Sequence, residues 1–220
     1  HAFKKFGWDV TFVDVNDHAA VDAAFKDNTR ALFTESLANP GGLVTDMEAM
    51  AAIAKKHGVP YIVDNTMASP YLCRPLEHGA NIIVESLTKF IGGHGNSIGG
   101  IIVDGGNFDW KAHAEKFPTM ASPQSYYNDM VFSEAFGALP LGPDGANVDI
   151  AFAIAARAFS LRDLGPALSP FNAFMIMTGC ETLPLRMAKH CQNALKVASW
   201  LQNDSRVSWV RYAGLPGDPH

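Results

Sequence analysis

The chain has 220 residues, a length typical of one large domain or two small ones. Hydrophobic residues make up 48% of it and charged residues 18%, a composition typical of packed globular proteins that excludes intrinsic disorder. Basic residues number 17 and acidic residues 22, so the formal net charge is −5, whereas proteins that bind nucleic acid carry a basic surplus. No apolar run reaches the roughly 18 residues of a membrane span. We therefore expect no nucleic acid partner and no membrane insertion.

The cysteines indicate a reducing compartment. Cys73, Cys180 and Cys191 are few, odd in number and widely spaced, which argues against a disulfide framework and favours the cytoplasm. No CxxC or HExxH pattern occurs, so we expect no metal site. The chain begins at His1 without a leader and ends in the loop-like segment Gly214–His220, from which we expect a piece of a longer protein.

Short apolar runs alternate with helix-like segments in the first half of the chain. Strands are predicted at Trp8–Val13, Arg30–Thr34, Tyr61–Val63, Asn81–Val84 and Ile98–Val103, and helices at Asp17–Lys26 and Thr45–His57. Strands separated by helices of this length form right-handed βαβ units. The pattern therefore predicts the α/β class, with a mostly parallel sheet sandwiched by helices.

The second half has a different character. Residues 104–147 are rich in Gly, Pro and aromatic residues, which predicts long loops with one short helix near Asp129–Phe136. Helices are predicted at Val148–Leu164 and Pro170–Leu201, and a strand at Val207–Tyr212. We expect residues 1–188 to be part of a large domain and residues 189–220 to begin a smaller α+β domain.

Polar clusters follow three of the predicted strands. They are Glu35-Ser36, Asp64-Asn65-Thr66 and Glu85–Lys89, and a glycine-rich stretch, Gly92–Gly100, comes after the last. In open parallel sheets, ligands bind outside the carboxyl ends of the strands. The sequence therefore predicts one site at this edge of the sheet.

Lys89 is the central candidate in that site. Its neighbours, Leu87 and Phe90-Ile91, are apolar, so we expect a buried amine whose pKa is lowered and which can form a Schiff base. Ser86 and Thr88 can donate to a phosphate. A snorkelling surface lysine flanked by loop hydroxyls is the alternative.

Asp64 is the second candidate. A carboxylate at the end of a buried strand needs a cationic partner, and a protonated pyridine nitrogen would serve. A turn or cap built with Asn65 and Thr66 is an equally open alternative.

Other catalytic patterns fit less well. A P-loop has its lysine after the glycines, whereas Lys89 precedes them, and Gly93–Gly99 has one residue too many for GxGxxG, which disfavours a nicotinamide dehydrogenase. His94 among glycines is typical of a structural hydrogen bonder, and Cys73 is typical of a core residue.

A family resemblance rests on four blocks. The segment Ser86–Gly95 resembles the cofactor-lysine segment of the Cys/Met-metabolism pyridoxal-phosphate enzymes, the cystathionine synthase and lyase superfamily. Two further blocks of that pattern occur in the right order, Glu35-Ser36 with Asn39-Pro40 and Val63–Thr66 with Pro70-Tyr71-Leu72. The fourth block, Gly179–Met187, is similar to the linking helix of the family. The resemblance implies the large domain of a fold type I PLP-transferase.

Within the family, the match is closest to the O-acetylhomoserine sulfhydrylases. The glycine-rich run Gly93–Gly100, the following Val103–Trp110 and the helix start Ser169–Phe174 resemble theirs, although many carry threonine where this chain has Asn96. The cystathionine branch usually has Gly-His-Ser-Asp in that run.

The resemblance also implies roles for five residues. Lys89 would bind pyridoxal 5′-phosphate covalently, and Asp64 would pair with the pyridine nitrogen. Ser86 and Thr88 would bind the phosphate, and Asn39 would lie near the 3′-oxygen of the ring.

The activity that the resemblance implies is γ-replacement on O-acetyl-L-homoserine. Sulfide, or methanethiol, would replace acetate to give homocysteine or methionine, in a homotetramer built as a dimer of dimers. Cystathionine γ-synthase, cystathionine γ-lyase or methionine γ-lyase activity, and a non-catalytic scaffold, are the alternatives. The family's ring-stacking aromatic, the Tyr/Arg pair that reaches a neighbouring subunit's phosphate and the carboxylate-binding arginine would lie outside these 220 residues. We therefore expect the chain alone to be inactive.

Overall fold

A computed structural model describes residues 2–217 of the chain. Its sheet has four strands in the order β1-β2-β3-β4, which are Leu32–Glu35, Tyr61–Asp64, Ile82–Ser86 and Gly100–Asp104. The pairs β1–β2 and β2–β3 are parallel, and β3–β4 is antiparallel. The predicted, mostly parallel sheet is therefore confirmed.

Helices account for most of the remaining regular structure. The α-helices are α1 His18–Ala23, α2 Met47–Lys56, α3 Ser69–Leu72, α4 Pro118–Ala121, α5 Phe132–Ala135, α6 Ala151–Ala155, α7 Arg162–Leu164, α8 Pro170–Cys180 and α9 Leu183–Gln202. Short 3₁₀ segments lie at Ala2–Phe6, Pro75–His78, Ser125–Tyr127 and Pro143–Gly145, and the π-helical turn Ala156–Leu161 joins α6 to α7. None of the helices in residues 2–217 combines the length and apolarity that crossing a membrane requires.

Apolar side chains of the sheet pack on both of its faces. Tyr61 and Val63 of β2 are buried with Met50 of α2 in one cluster. Ile62, which alternates with them, faces a second cluster that contains Phe132 of α5. Because successive side chains of a strand point to opposite faces, helices cover both sides of the sheet, as predicted.

Two predicted strands are wrong. Residues 8–13 and 207–212 have no regular strand structure, and Trp8 and Trp209 are exposed. Both segments have the composition of a strand, but neither joins a ladder within residues 2–217. A strand needs a partner to satisfy its backbone groups, and composition alone does not supply one.

The predicted helix Pro170–Leu201 is interrupted. Helix α8 ends at Cys180, and α9 begins at Leu183 after a turn at residues 181–182. Pro184 lies in the first turn of α9, where a residue without an N–H is tolerated. In the interior of one continuous helix, the same proline would remove a hydrogen bond and break the helix. Helix α9 runs without a break through residue 188, and the domain division predicted there stays a prediction.

Capping residues define the ends of α2. Asp46 accepts a hydrogen bond from the backbone N–H of Ala49 at 3.0 Å, which satisfies a donor that the helix leaves free. After the helix, Gly58 has a φ of +61° and lies against the ring of His113, where a Cβ atom would come within 2.6 Å. Glycine is therefore favoured at this helix end for two reasons, the positive φ and the lack of room for a side chain beside His113.

Replacing Asp46 with Ala is expected to destabilise the protein by about 1 kcal/mol, because the N–H of Ala49 loses its acceptor. The midpoint of urea unfolding measures the change. Asp46→Asn keeps a side-chain oxygen and serves as the matched control, with an unfolding midpoint close to that of the unmodified protein. Equal loss in both variants would contradict the capping role.

Candidate active site

An open cavity of about 570 Å³ lies at the carboxyl ends of β1, β2 and β3. This volume is within the usual range for sites that bind small molecules. Its wall is formed by Glu35, Leu37, Asn39, Asp64, Thr66, Met67, Ser86, Lys89, Phe90, Gly93, Gly95, Arg186 and His190. The three polar clusters of the sequence therefore meet at one edge of the sheet, as expected for parallel strands.

Four of the five predicted cofactor residues line this cavity. They are Asn39, Asp64, Ser86 and Lys89. Thr88 does not line it, because its hydroxyl donates to the carbonyl of Gly99 at 3.2 Å and accepts from the N–H of Gly99 at 3.1 Å. These two bonds join the turn of residues 87–92, called the lysine turn below, to Gly99, the residue before β4.

Asp64 combines the two alternatives that the sequence left open. Its Oδ1 accepts a hydrogen bond from the backbone N–H of Thr66 at 2.9 Å, which makes it a turn residue. Its carboxylate also lines the cavity, and within residues 2–217 no hydrogen bond or ion pair involves Oδ2. One carboxylate oxygen therefore orients the side chain, and the other is available to a ligand.

Lys89 is exposed, so the expectation of a buried lysine is wrong for this chain. Its apolar neighbours Leu87, Phe90 and Ile91 pack against Ile176 of α8 and Leu183 of α9. The lysine lies on the cavity side of the same turn. Leu87 and Ile91 therefore mark the opposite side of the turn, whereas Lys89 lies beside Phe90 on the cavity wall and is open to solvent.

The flanking histidine has the structural role that the sequence favoured. His94 Nδ1 lies 2.7 Å from the carbonyl oxygen of Gly92 and donates to it. Cys73 is half-buried, and that burial, with a smaller contribution from Glu77, raises the pKa of its thiol. A raised pKa reduces the thiolate fraction and argues against Cys73 as a nucleophile.

A buried hydrogen-bond network connects the ends of the three parallel strands. Ser36 Oγ, just after β1, donates to Asn65 Oδ1 at 2.8 Å. Asn65 Nδ2, just after β2, donates to Glu85 Oε1 of β3 and to the carbonyl of Cys73, each at 2.9 Å. Asn65 is completely buried. The network fixes the spacing of the strand ends on which Asp64 and Ser86 stand.

Glu85 is the titratable member of this network. Burial raises the pKa of its carboxyl above the ordinary 4.5; the hydrogen bond from Asn65 opposes that rise, and the nearby charge of Asp64 adds to it. The carboxyl does not line the cavity, so its contribution is to the support of the site.

Sequence reasoning missed two residues of the cavity wall with nitrogen-containing side chains, Arg186 and His190. Both come from α9, about a hundred residues after Lys89, and the ring of His190 lies 5.5 Å from that of Phe90. Their spacing of four residues places them on one face of a helix, which is the signal that could have identified them.

The whole chain, residues 1–220, matches the sequence model of a family described as Cys/Met metabolism PLP-dependent enzyme. O-acetyl-L-homoserine sulfhydrylase of Leptospira meyeri is 51% identical over 219 residues, which are 99% of this chain and 48% of that protein. Homocysteine/cysteine synthase of Saccharomyces cerevisiae is 43% identical over 220 residues, 100% of this chain and 47% of that protein. The chain spans about half the length of the curated relatives it matches.

Solved structures show the same likeness. A protein of Campylobacter jejuni described as an O-acetylhomoserine (thiol)-lyase superposes with a TM-score of 0.88 at 32% identity, over 100% of this chain and 52% of that one. It contains N′-pyridoxyl-lysine-5′-monophosphate. O-acetylhomoserine sulfhydrylase of Wolinella succinogenes gives 0.80 at 36% identity, over 99% of this chain and 55% of that one. The predicted PLP-transferase fold is therefore confirmed.

Replacing Glu85 with Gln is expected to change how stability depends on pH. The folded carboxyl keeps its proton to a higher pH than the ordinary 4.5, so stability falls as pH rises from 4.5 to the raised pKa. Gln remains neutral and still accepts from Asn65, so the advantage of E85Q in melting temperature should grow from pH 4 to pH 7.

Glu115→Gln, at an exposed glutamate, is the matched control and should follow the unmodified protein at every pH. If the difference in melting temperature between E85Q and the unmodified protein stayed constant from pH 4 to pH 7, ionisation of the buried Glu85 would not lower the stability of the protein.

Proposed function

The chain belongs to the Cys/Met metabolism PLP-dependent enzyme family, and on this premise we propose that the protein catalyses γ-replacement on O-acetyl-L-homoserine. Sulfide replaces the acetate group, giving homocysteine and acetate; methanethiol in place of sulfide gives methionine. The relatives named O-acetyl-L-homoserine sulfhydrylase and homocysteine/cysteine synthase support this choice. The observation that carries the proposal is that Asp64, the last residue of β2, and Lys89, which follows the adjacent parallel strand β3, line one cavity.

The residues of the cavity fit pyridoxal 5′-phosphate, the cofactor of this family. Lys89 presents a primary amine without a hydrogen bond or ion pair in residues 2–217, as attachment to an aldehyde requires. Asp64 has a free carboxylate oxygen for the ring nitrogen, and Ser86 has a hydroxyl for the phosphate. The backbone N–H of Asn39 donates to Glu35 Oε2 at 2.7 Å, and we place Asn39 near the 3′-oxygen of the cofactor ring in this proposal. The phosphate contact of Thr88 stays a prediction.

When bound, pyridoxal phosphate supplies an electron-withdrawing ring that stabilises negative charge at the substrate Cα. Asp64 would hold the ring nitrogen in its protonated form, which would keep the ring electron-withdrawing. Lys89 Nζ would hold the cofactor, and during the reaction it would act as the base that takes the Cα proton and later returns protons to the product. Its position on the open side of the turn gives it access to substrate as well as to the cofactor.

We propose further that the protein is a cytoplasmic homotetramer built as a dimer of dimers. All three cysteines are free, which is usual in a reducing compartment. Phe171, Phe174 and Met177 on α8 are largely exposed, and exposed apolar surface of this kind is commonly covered by another subunit. Static light scattering of the protein in its full length measures the subunit number.

The reaction is tested with the full-length protein loaded with pyridoxal phosphate and given O-acetyl-L-homoserine. With sulfide, homocysteine and acetate are expected to form in equal amounts; with cysteine instead, cystathionine formation should be much slower. The two rates are compared at equal nucleophile concentration. Faster cystathionine formation would assign the protein to the cystathionine branch, and release of a keto acid without a nucleophile would indicate a lyase.

Replacing Asp64 with Asn is expected to lower kcat by about 10- to 100-fold, because a hydrogen bond to a charged group contributes about 1.5–3 kcal/mol. Asn keeps the oxygen that accepts from the N–H of Thr66, so the turn is preserved. Asp109→Asn, at a carboxylate outside the cavity, is the matched control and should leave kcat unchanged. Full activity of D64N would contradict the pairing of Asp64 with the ring.

A further inference from the structure

Arg186 has no role in the proposed function, yet it makes four hydrogen bonds at the cavity wall. Its side chain projects from the first turns of α9 and is half-buried. Nη1 donates to the carbonyl of Phe90 at 2.7 Å, and Nη2 donates to the carbonyls of Ile91 at 3.2 Å and Gly179 at 2.8 Å. Nε donates to the hydroxyl of Thr182 at 3.0 Å.

The acceptors belong to two separate parts of the chain. Phe90 and Ile91 directly follow Lys89 in the lysine turn, while Gly179 lies at the end of α8 and Thr182 directly precedes α9. A single guanidinium group therefore joins the lysine turn to the junction between the two helices. Its charge also suits the carboxyl end of α8, where helix carbonyls have no helical partner.

Two glycines provide the space for this arrangement. Gly93 has a φ of +72°, and a Cβ atom there would lie 2.5 Å from Cζ of Arg186. A Cβ atom on Gly179 would lie 1.9 Å from the carbonyl oxygen of Gly92. A Cβ atom at Gly93 would displace the guanidinium group, and one at Gly179 would push the lysine turn away from α8, so the arrangement depends on both glycines.

The lysine turn also has its own backbone support. The N–H of Gly92 donates to Leu87 at 2.9 Å, and the N–H of Gly93 donates to Lys89 at 2.7 Å. These bonds give the turn its shape but do not attach it to the rest of the protein. Its polar attachment on the helix side is provided by Arg186, beside the apolar contacts of Phe90 and Ile91 with α8 and α9.

We propose that Arg186 is a positioning residue that fixes the direction in which Lys89 Nζ enters the cavity. The inference rests on the proposed function, in which Lys89 binds the cofactor covalently. The planar guanidinium group bonds two adjacent carbonyls of the turn and two groups of the helix junction at once. A lysine ammonium lacks this fixed fork of donors.

The test measures how fast pyridoxal phosphate attaches to Lys89 in the cofactor-free, full-length protein. Borohydride stops the reaction at set times, and peptide mass spectrometry quantifies the label on Lys89. Arg186→Ala should slow attachment and lower kcat by about 100-fold, the usual cost of a misplaced reacting group. Arg186→Lys should lie between Ala and the unmodified protein. The KM for O-acetylhomoserine should change less than about 2-fold, since Arg186 is occupied by the protein itself.

Melting temperatures of the cofactor-free variants separate positioning from folding. Arg206→Lys is the matched control, because Arg206 is exposed and pairs with Asp204, and neither residue lines the cavity. It should attach the cofactor at the unmodified rate. Arg186→Lys keeps charge and approximate length, so it decides the question if Arg186→Ala does not fold.

Unchanged attachment rates in the Arg186 variants would overturn the inference. A lowered melting temperature with an unchanged rate per folded molecule would also overturn it, since Arg186 would then only stabilise the fold. Absence of label on Lys89 in the unmodified protein would instead refute the proposed function, which distinguishes the two failures.

Discussion

The side-chain amide of Asn65 holds the carboxyl ends of three parallel strands at fixed distances from one another. It is completely buried, accepts from Ser36 and donates to Glu85. A buried amide that loses a partner is costly, so none of the three strand ends can shift alone. Asp64 directly precedes Asn65 and Ser86 directly follows Glu85, so the network also fixes the positions of their backbones. The site is therefore a consequence of strand order and of one satisfied polar group beneath the cavity.

The lysine turn shows a second constraint: one of its sides attaches it to the helices, and the other carries the reactive amine. Leu87 and Ile91 anchor the turn to the helices through apolar contacts, and Arg186 anchors it through its carbonyls. The side-chain amine of Lys89 is left on the other side, without a hydrogen bond or ion pair within residues 2–217. A reactive amine needs freedom at its nitrogen and rigidity in its backbone, and this arrangement supplies both.

Much of the fold and the site could be predicted because the relevant signals are local. Apolar runs that end in polar clusters identified β1, β2 and β3, and the rule for parallel sheets brought Asp64 and Lys89 together. The strands predicted at 8–13 and 207–212 were wrong because strand formation depends on a partner that a single segment does not reveal. The exposure of Lys89 was missed because sequence neighbours do not show which way a turn faces.

Arg186 shows the same limit of sequence analysis, here for a contact between residues that are far apart in the chain. It reaches the lysine turn across 96 positions of sequence, and only the packing of α9 shows that contact. The glycines at 93 and 179 are visible in the sequence, but their purpose becomes clear only when the guanidinium and the crossing chain are in place. Long-range contacts of this kind are fixed by tertiary packing and have no periodic signature.

The most direct measurement is a crystal structure of the full-length protein with pyridoxal phosphate bound and reduced by borohydride. We expect continuous density from Lys89 Nζ into a single ring whose nitrogen lies about 2.7–3.0 Å from a carboxylate oxygen of Asp64. A ring attached elsewhere, or one whose nitrogen is held by another group while Asp64 faces away, would contradict this expectation.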